Sequence, residues 1–145
     1  VLIESRPATD PGLAVLLTAQ RHAFDPALSY LAGVVDGRVV ACGGWQALGP
    51  GAAELKRLYV RPAFRGRGLA RQLVVALEEE ALAAGRPVLR LEVARCLTDA
   101  IELFRSSGYR ERTSAAAVVF EKTLSFDEFF VMTGVAVGRG APLRA

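Results

Sequence analysis

The 145-residue chain is poor in the side chains that metal, redox and disulfide chemistry use. It has one histidine, His22, and two cysteines, Cys42 and Cys96, whose spacing matches no zinc or redox motif. No metal site is therefore expected, and the cysteines read as two buried, reduced thiols. No apolar run approaches the ~18 residues that a membrane-crossing helix needs. No charged-then-apolar leader opens the chain, and Val1 in place of an initiator Met reads as a processed or edited terminus. The expected setting is the cytoplasm, with no membrane partner. Lysine is scarce too: only Lys56 and Lys122 stand among the 18 basic residues. Arginine's planar fork suits phosphate. However, a net charge of +3, without interleaved aromatics, is too weak a footprint for a nucleic-acid binder.

What is present suits one domain with a real core. Apolar residues make up 52% of the chain and the mean hydropathy is +0.29, so disorder is not expected over most of it. Leu2 to Arg6 predicts a strand. Asp10 can cap a helix with Pro11 at its first position, and Leu13, Leu16 and Leu17 give it one apolar face through about Ala23. Ser29 to Val35 and Arg38 to Trp45 predict a hairpin around Asp36-Gly37, with Gly43-Gly44 permitting a bulge or a close backbone approach. Ala52 to Arg61 is the next strand. Its alternation fails at Leu58-Tyr59-Val60, through burial on both faces or a bulge. A helix follows from about Leu69, with Gly85 and Pro87 marking its end. Val88 to Val93, Asp99 to Ser106, Tyr109 to Arg112 and Ala117 to Leu124 complete the order β-α-β-β-β-α-β-α-β-β. That order indicates a single α/β (α+β) domain with a mixed central sheet flanked by helices. Residues 1–124 form the domain and 125–145 an extension, whose Phe126–Met132 patch either joins two copies in a homodimer or covers the domain.

The stretch that organises the chain is Glu54 to Arg71, a strand, a glycine loop and a helix start. Helices favour acidic residues in the first turn and basic ones in the last. Here Arg65, Arg67 and Arg71 crowd the start, and Glu78, Glu79 and Glu80 fall in the second half. The reversed order costs stability unless an anion sits at the helix start, where small residues let backbone N–H groups surround it. Two phosphate motifs fail. A P-loop needs G-x-x-x-x-G-K-S/T, and no lysine follows either glycine. A dinucleotide fingerprint needs a third small residue where this chain has Arg71.

The pattern that fits is R/Q-x-x-G-x-G/A, met by Arg65, Gly68 and Ala70. It resembles the acyl-CoA loop of the GNAT N-acetyltransferase superfamily. The likeness extends through AELKRLYVRPAFRGRGLARQLVVALEEEA, VLRLEV, DAIELFRSSGY, VVFEKTL and VVDGRVVACGGW, roughly residues 28–124. The resemblance implies a splayed cleft between the fourth and fifth strands. It also implies acetyl-CoA as cosubstrate and transfer of its acyl group directly to an amine of a small molecule or peptide. The pyrophosphate would lie against Arg65, Gly66, Arg67, Gly68, Leu69, Ala70 and Arg71. The pantetheine would pair with backbone groups of Leu58, Tyr59 and Val60. Glu54 aligns with a strand-four carboxylate often used as general base, and its competing role is pairing with Lys56 or Arg57. Glu92, mid-strand in an apolar run, is the rival carboxylate, and burial there would demand a partner. Phe104 stands at a cofactor-lining position where relatives carry a tyrosine acid. A phenyl ring donates no proton, which leaves Tyr109 or Tyr59 or water. Leu97 stands where many relatives place Asn or Gln. Phe104 and Leu97 together keep open a second reading, a CoA-binding protein with little turnover.

Overall fold

The computed structural model describes residues 1–20, 22, 25–113 and 116–125. The element order is β1 (Leu2–Arg6), α1 (Pro11–Ala19), β2 (Ser29–Val35), β3 (Arg38–Ala47), β4 (Ala52–Val60), α2 (Leu69–Ala83), β5 (Val88–Ala94), α3 (Thr98–Ser106), β6 (Arg110–Thr113) and β7 (Ala117–Thr123). A 3₁₀ turn, Pro62–Phe64, precedes α2. The strands form one mixed sheet in the order β1-β2-β3-β4-β5-β7-β6. The crossover through α2 leaves neighbours β4 and β5 parallel, as a strand–helix–strand connection requires. Among the described residues two compact units form, one from those of 1–46 with 54–77 and the other from 47–53 with 78–113 and 116–125.

In the first unit, Asp10 caps α1 by accepting the Leu13 N–H at 3.1 Å, and Pro11 takes the first position as its missing N–H allows. Leu13, Leu16 and Leu17 are buried against Tyr30, Ala32, Val34, Val39 and Cys42. The helix stops at Ala19, capped by Gln20, so it is shorter than the apolar pattern suggests. Asp36 and Gly37 turn the β2–β3 hairpin with both φ angles left-handed, 50° and 77°, the geometry that matches strand twist. The bulge in this hairpin lies at Gly33/Val34 rather than at the glycine pair of β3. Gly43 instead gives close approach: a Cβ there would stand 2.9 Å from Leu77 and 3.3 Å from Leu58. Cys42 faces the α1 cluster and its neighbour Gly43 faces α2, so the first half of α2 packs opposite α1 across the sheet.

Strand β4 carries the local break foreseen at Leu58–Val60. Ala53 and Leu55 are buried in alternation, but the next buried residue is Val60, an odd number of positions on. Arg57 supplies the shift by adopting φ 60°. A non-glycine residue there is uncommon and strained by about 1 kcal/mol or more. Beyond the break, Leu58 points to Gly43 and Tyr59 packs on the α1 cluster, so successive half-buried side chains meet different layers.

In the second unit, β7 lies between β5 and β6 and is antiparallel to both, with Leu91 opposite Phe120 and Glu111 opposite the same residue. Phe104 and Phe120 pack 5.8 Å apart beneath Tyr109. Two helix ends close alike. Arg86 N–H returns to Ala81 O and Gly85 N–H to Leu82 O, while Tyr109 N–H returns to Phe104 O past left-handed Gly108. That last bond holds Tyr109 in the cap of α3, so β6 begins at Arg110 rather than Tyr109. Arg86 then spans to the carbonyls of Gly49 and Ala52 at 2.7 and 2.8 Å, pinning the turn before β4. The Phe126–Met132 patch and the 125–145 extension, save Ser125, lie outside the described residues.

Arg6 bonds Asp10 at 2.9 Å. Burial raises the Asp10 pKa, but hydrogen bonds from Arg6 and the Leu13 N–H outweigh it and hold the carboxyl below its usual value. Its stabilisation is present above the ordinary carboxylate range and is lost as pH falls through the depressed folded value. Replacing Asp10 by Ala should cost about 1 kcal/mol in urea unfolding at pH 7. The deficit should shrink below pH ~4 as the wild-type cap protonates. A deficit unchanged down to pH ~2 contradicts this account.

Candidate functional site

The segment from Arg61 to Arg71 is anchored at both ends. Arg61 N–H donates to Val40 O at 2.8 Å, and the buried Leu69 side chain seats the first turn of α2. Between them, Gly66 and Gly68 take φ 76° and 78° with open space where a Cβ would project. Backbone conformation, not crowding, selects glycine at both places. Gly68 O accepts the Gln72 N–H, which makes Gly68 the residue that opens the helix. The first helix amides have no intrahelical acceptor by geometry, and no acidic residue occupies the first turn. The site therefore combines outward backbone donors, the positive end of a 15-residue helix and a basic loop.

The arginines are held by aromatic faces. Arg65 lies 5.4 Å from the Tyr59 ring centroid, and Arg67 lies 5.3 Å from that of Phe64. Arg65 Nε also donates to Val60 O at 2.8 Å. Val60 is among the residues whose backbone groups were expected to pair with the pantetheine, and one lone pair of its carbonyl is engaged by the loop itself. The half-buried Leu58 and Tyr59 and the buried Val60 lead from β4 into this loop.

Upstream on β4, the Glu54 side chain is 21% exposed and lies 3.7 Å from Lys56 Nζ. Gln46, across the turn on β3, donates its Nε2 to Glu54 at 3.2 Å. Of the two pairings foreseen, the structure shows the one with Lys56. Glu92 departs from expectation. It is exposed on β5, because the strand alternates strictly and Leu91 and Val93 take the core face. No buried partner is required.

Phe104 and Tyr109 also depart from their expected places. Phe104 is 2% exposed and serves as the centre of the second unit's core. The Tyr109 hydroxyl is buried and donates to Glu78 Oε2 at 2.7 Å. Lys122 Nζ approaches the same oxygen at 3.3 Å and donates to Ser107 O at 2.8 Å. Burial, then the Glu78 charge, raise the tyrosine pKa well above 10. This hydroxyl closes a buried network and is poorly placed to give up a proton. Glu78 itself is fully buried, so the acid that looked like half of a reversed helix charge pattern is a core group.

Two features were missed. Arg57 holds its Nε buried without a hydrogen-bond partner at the strained position of β4. Burial and the Arg57 charge together push the His22 pKa down. The broken alternation after Arg57 was the available signal. Gln46 had none, since its placement opposite Glu54 follows from hairpin register. Of the two cysteines, Cys42 is buried as expected, with burial pushing its thiol up to about 12, whereas Cys96 departs from expectation and is exposed. Among the described residues no helix is long and apolar enough to cross a membrane.

Residues 3–109 match the family model described as "Acetyltransferase (GNAT) family", and the chain belongs to that family. It is 35% identical over 88 residues to the "IAA acetyltransferase" of Azospirillum brasilense, covering 60% of this chain and 58% of that protein. The chain thus spans little more than half of that relative's length. A solved structure from Klebsiella pneumoniae subsp. pneumoniae MGH 78578, provisionally named an acyl-CoA N-acyltransferase, superposes with a TM-score of 0.78 at 28% identity. That match covers 86% of this chain and 97% of the other. The fold is shared too by the PaiA N-acetyltransferase of Thermoplasma acidophilum, solved with coenzyme A, at TM-score 0.63 and 18% identity. That match covers 76% of this chain and 67% of the other.

The Tyr109 network has a pH signature. A raised folded pKa contributes stability below the ordinary tyrosine value that is lost as pH rises through the folded one. Wild-type unfolding free energy should therefore fall above pH ~10 more steeply than that of Tyr109→Phe, which should be about 1–2 kcal/mol less stable at pH 7. Parallel curves would show that the hydroxyl is not held as described.

Proposed function

We propose that the chain transfers an acetyl group from acetyl-CoA directly to a primary amine of a small molecule or peptide. The observation that carries this reading is the start of α2, where left-handed Gly66 and Gly68 and an acid-free first turn face Arg65 and Arg67. Family membership and the coenzyme A complex of a structural neighbour support the choice of anion. The residues fit a pyrophosphate: its oxygens are acceptors only, and this segment offers donors and positive charge. Gly66, Arg67, Gly68, Leu69, Ala70 and Arg71 would hold it, with Arg65 seated on Tyr59. Backbone groups of Leu58, Tyr59 and Val60 would align the pantetheine. Bound acetyl-CoA supplies the thioester, whose C–S bond breaks as the amine's C–N bond forms.

The amine must lose a proton to attack. Glu54 is the candidate base, since a half-buried carboxylate accepting from Gln46 keeps acceptor capacity for a substrate N–H or a bridging water. Glu92 is the rival on β5, and its exposure makes it the weaker one. No side chain is assigned as general acid, and the leaving thiolate takes its proton from water. A second reading is CoA binding with little turnover. Phe104 favours it, because a core phenyl ring occupies the position where relatives carry an acid.

Acetyl-CoA at a hundredfold excess over its Kd should stabilise the chain by about 2.7 kcal/mol, read as a rise in melting temperature. Gly68→Arg should remove the rise relative to its own unliganded midpoint. No rise in the wild type at millimolar acetyl-CoA would exclude both readings. Across an amine panel, thiol release should be observed and should fall about 100-fold or more in Glu54→Gln, with the melting shift retained. A melting shift without thiol release from any amine would select the second reading.

A further inference from the structure

A recess separate from the phosphate loop opens within the first unit. It has a volume of about 430 Å³, within the range of small-molecule sites. Its walls are largely apolar, with Val15 and Leu16 from α1, Tyr59 from β4 and Phe64 from the 3₁₀ turn. Its charged lining residues are Arg38, at the start of β3, and Arg61; none is acidic. No residue of the 65–71 loop lines it.

Two further observations point to an occupant. Arg61 Nε is buried and has no hydrogen-bond partner. A buried guanidinium N–H without an acceptor is costly, and an anion is the natural partner. Val15, at the mouth, is 54% exposed, an open position for a large apolar side chain. The chemistry required is thus an anionic head on an apolar body. Two arginines in an otherwise apolar recess suit one compact monoanion better than a polyphosphate, which would need many more donors.

We propose that this recess is a second ligand site, taking a small carboxylate with an aryl or alkyl body. Arg61 and Arg38 bind the carboxylate, and Val15, Leu16 and Phe64 cover the body. Tyr59 is the residue it shares with the phosphate loop, since the same ring seats Arg65. A ligand here therefore touches the support of the loop without occupying it.

The test is calorimetric titration of the full chain with 4-phenylbutyrate, with 4-phenylbutylamine as the charge-reversed control, each with and without saturating coenzyme A. The acid should bind and the amine should not. Arg61→Met should weaken the acid about tenfold or more, the loss expected for one charge-assisted bond. Ala63→Trp, which fills the recess from its exposed rim and leaves both arginines in place, should weaken it comparably. Coenzyme A should leave acid binding largely intact. Failure of the acid to bind, equal binding of the amine, or indifference to both variants would overturn the proposal. So would abolition of binding by coenzyme A, which would assign the recess to the cosubstrate.

Discussion

The start of α2 is a concentration of positive potential. A 15-residue helix ends its dipole there, no acidic residue occupies its first turn, and Arg65, Arg67 and Arg71 cluster around it. Isolated, such an arrangement is unfavourable by tenths of a kcal/mol per charge to about 1 kcal/mol. The surrounding structure holds it in place regardless. Leu69 anchors the helix start, Arg61 ties the loop to β3, and Tyr59 and Phe64 lay out the two guanidinium groups. Gly66 and Gly68 are what lets the chain turn inside that frame, because both need left-handed φ values that other residues adopt at a cost. The anion proposed for this site is what such a set of choices suits.

Strand β4 connects the proposed anion site to the chemistry proposed upstream. Its shift at Arg57 reverses which side chains face which layer. Ahead of the shift, Glu54 lies beside Gln46 and Lys56; after it, Leu58 meets Gly43 and Tyr59 joins the α1 cluster. One strained residue thus lets a single strand present a half-buried carboxylate and, a few residues on, a support for the phosphate loop. The second unit has a different division of labour. Its acidic, basic and phenolic groups, Glu78, Lys122 and Tyr109, meet one another at Glu78 Oε2, while Glu78 Oε1 is buried without a hydrogen-bond partner. They secure the packing around Phe104 rather than offering protons to a substrate.

Much of this was legible in the residues. Asp10-Pro11, Asp36-Gly37 and Gly85 each mark a backbone event whose cause is local, so each was readable where it occurs. The order of elements and the glycine loop were readable for the same reason. Misreadings arose where tertiary context decides. The apolar run around Glu92 pointed to a buried carboxylate, yet β5 alternates strictly and exposes it. Tyr109 looked like an available hydroxyl because Glu78 and Lys122, distant in sequence, give no local sign of converging on it. Glu78 looked like part of a reversed helix charge order, and only helical phase against the second core makes it interior. The recess beside Arg61 was not legible at all, since it is assembled from three separate stretches, in α1, at Arg38 and from Tyr59 to Phe64.

We propose the backbone donors from Gly66 to Arg71 as the anion site. This central claim is tested most directly by following amide resonances during a coenzyme A titration of the isotopically labelled chain. The account predicts the largest shifts at the amides of Gly66, Gly68, Leu69 and Ala70, saturating together. Saturable binding that leaves those four amides unmoved while shifting others would contradict it.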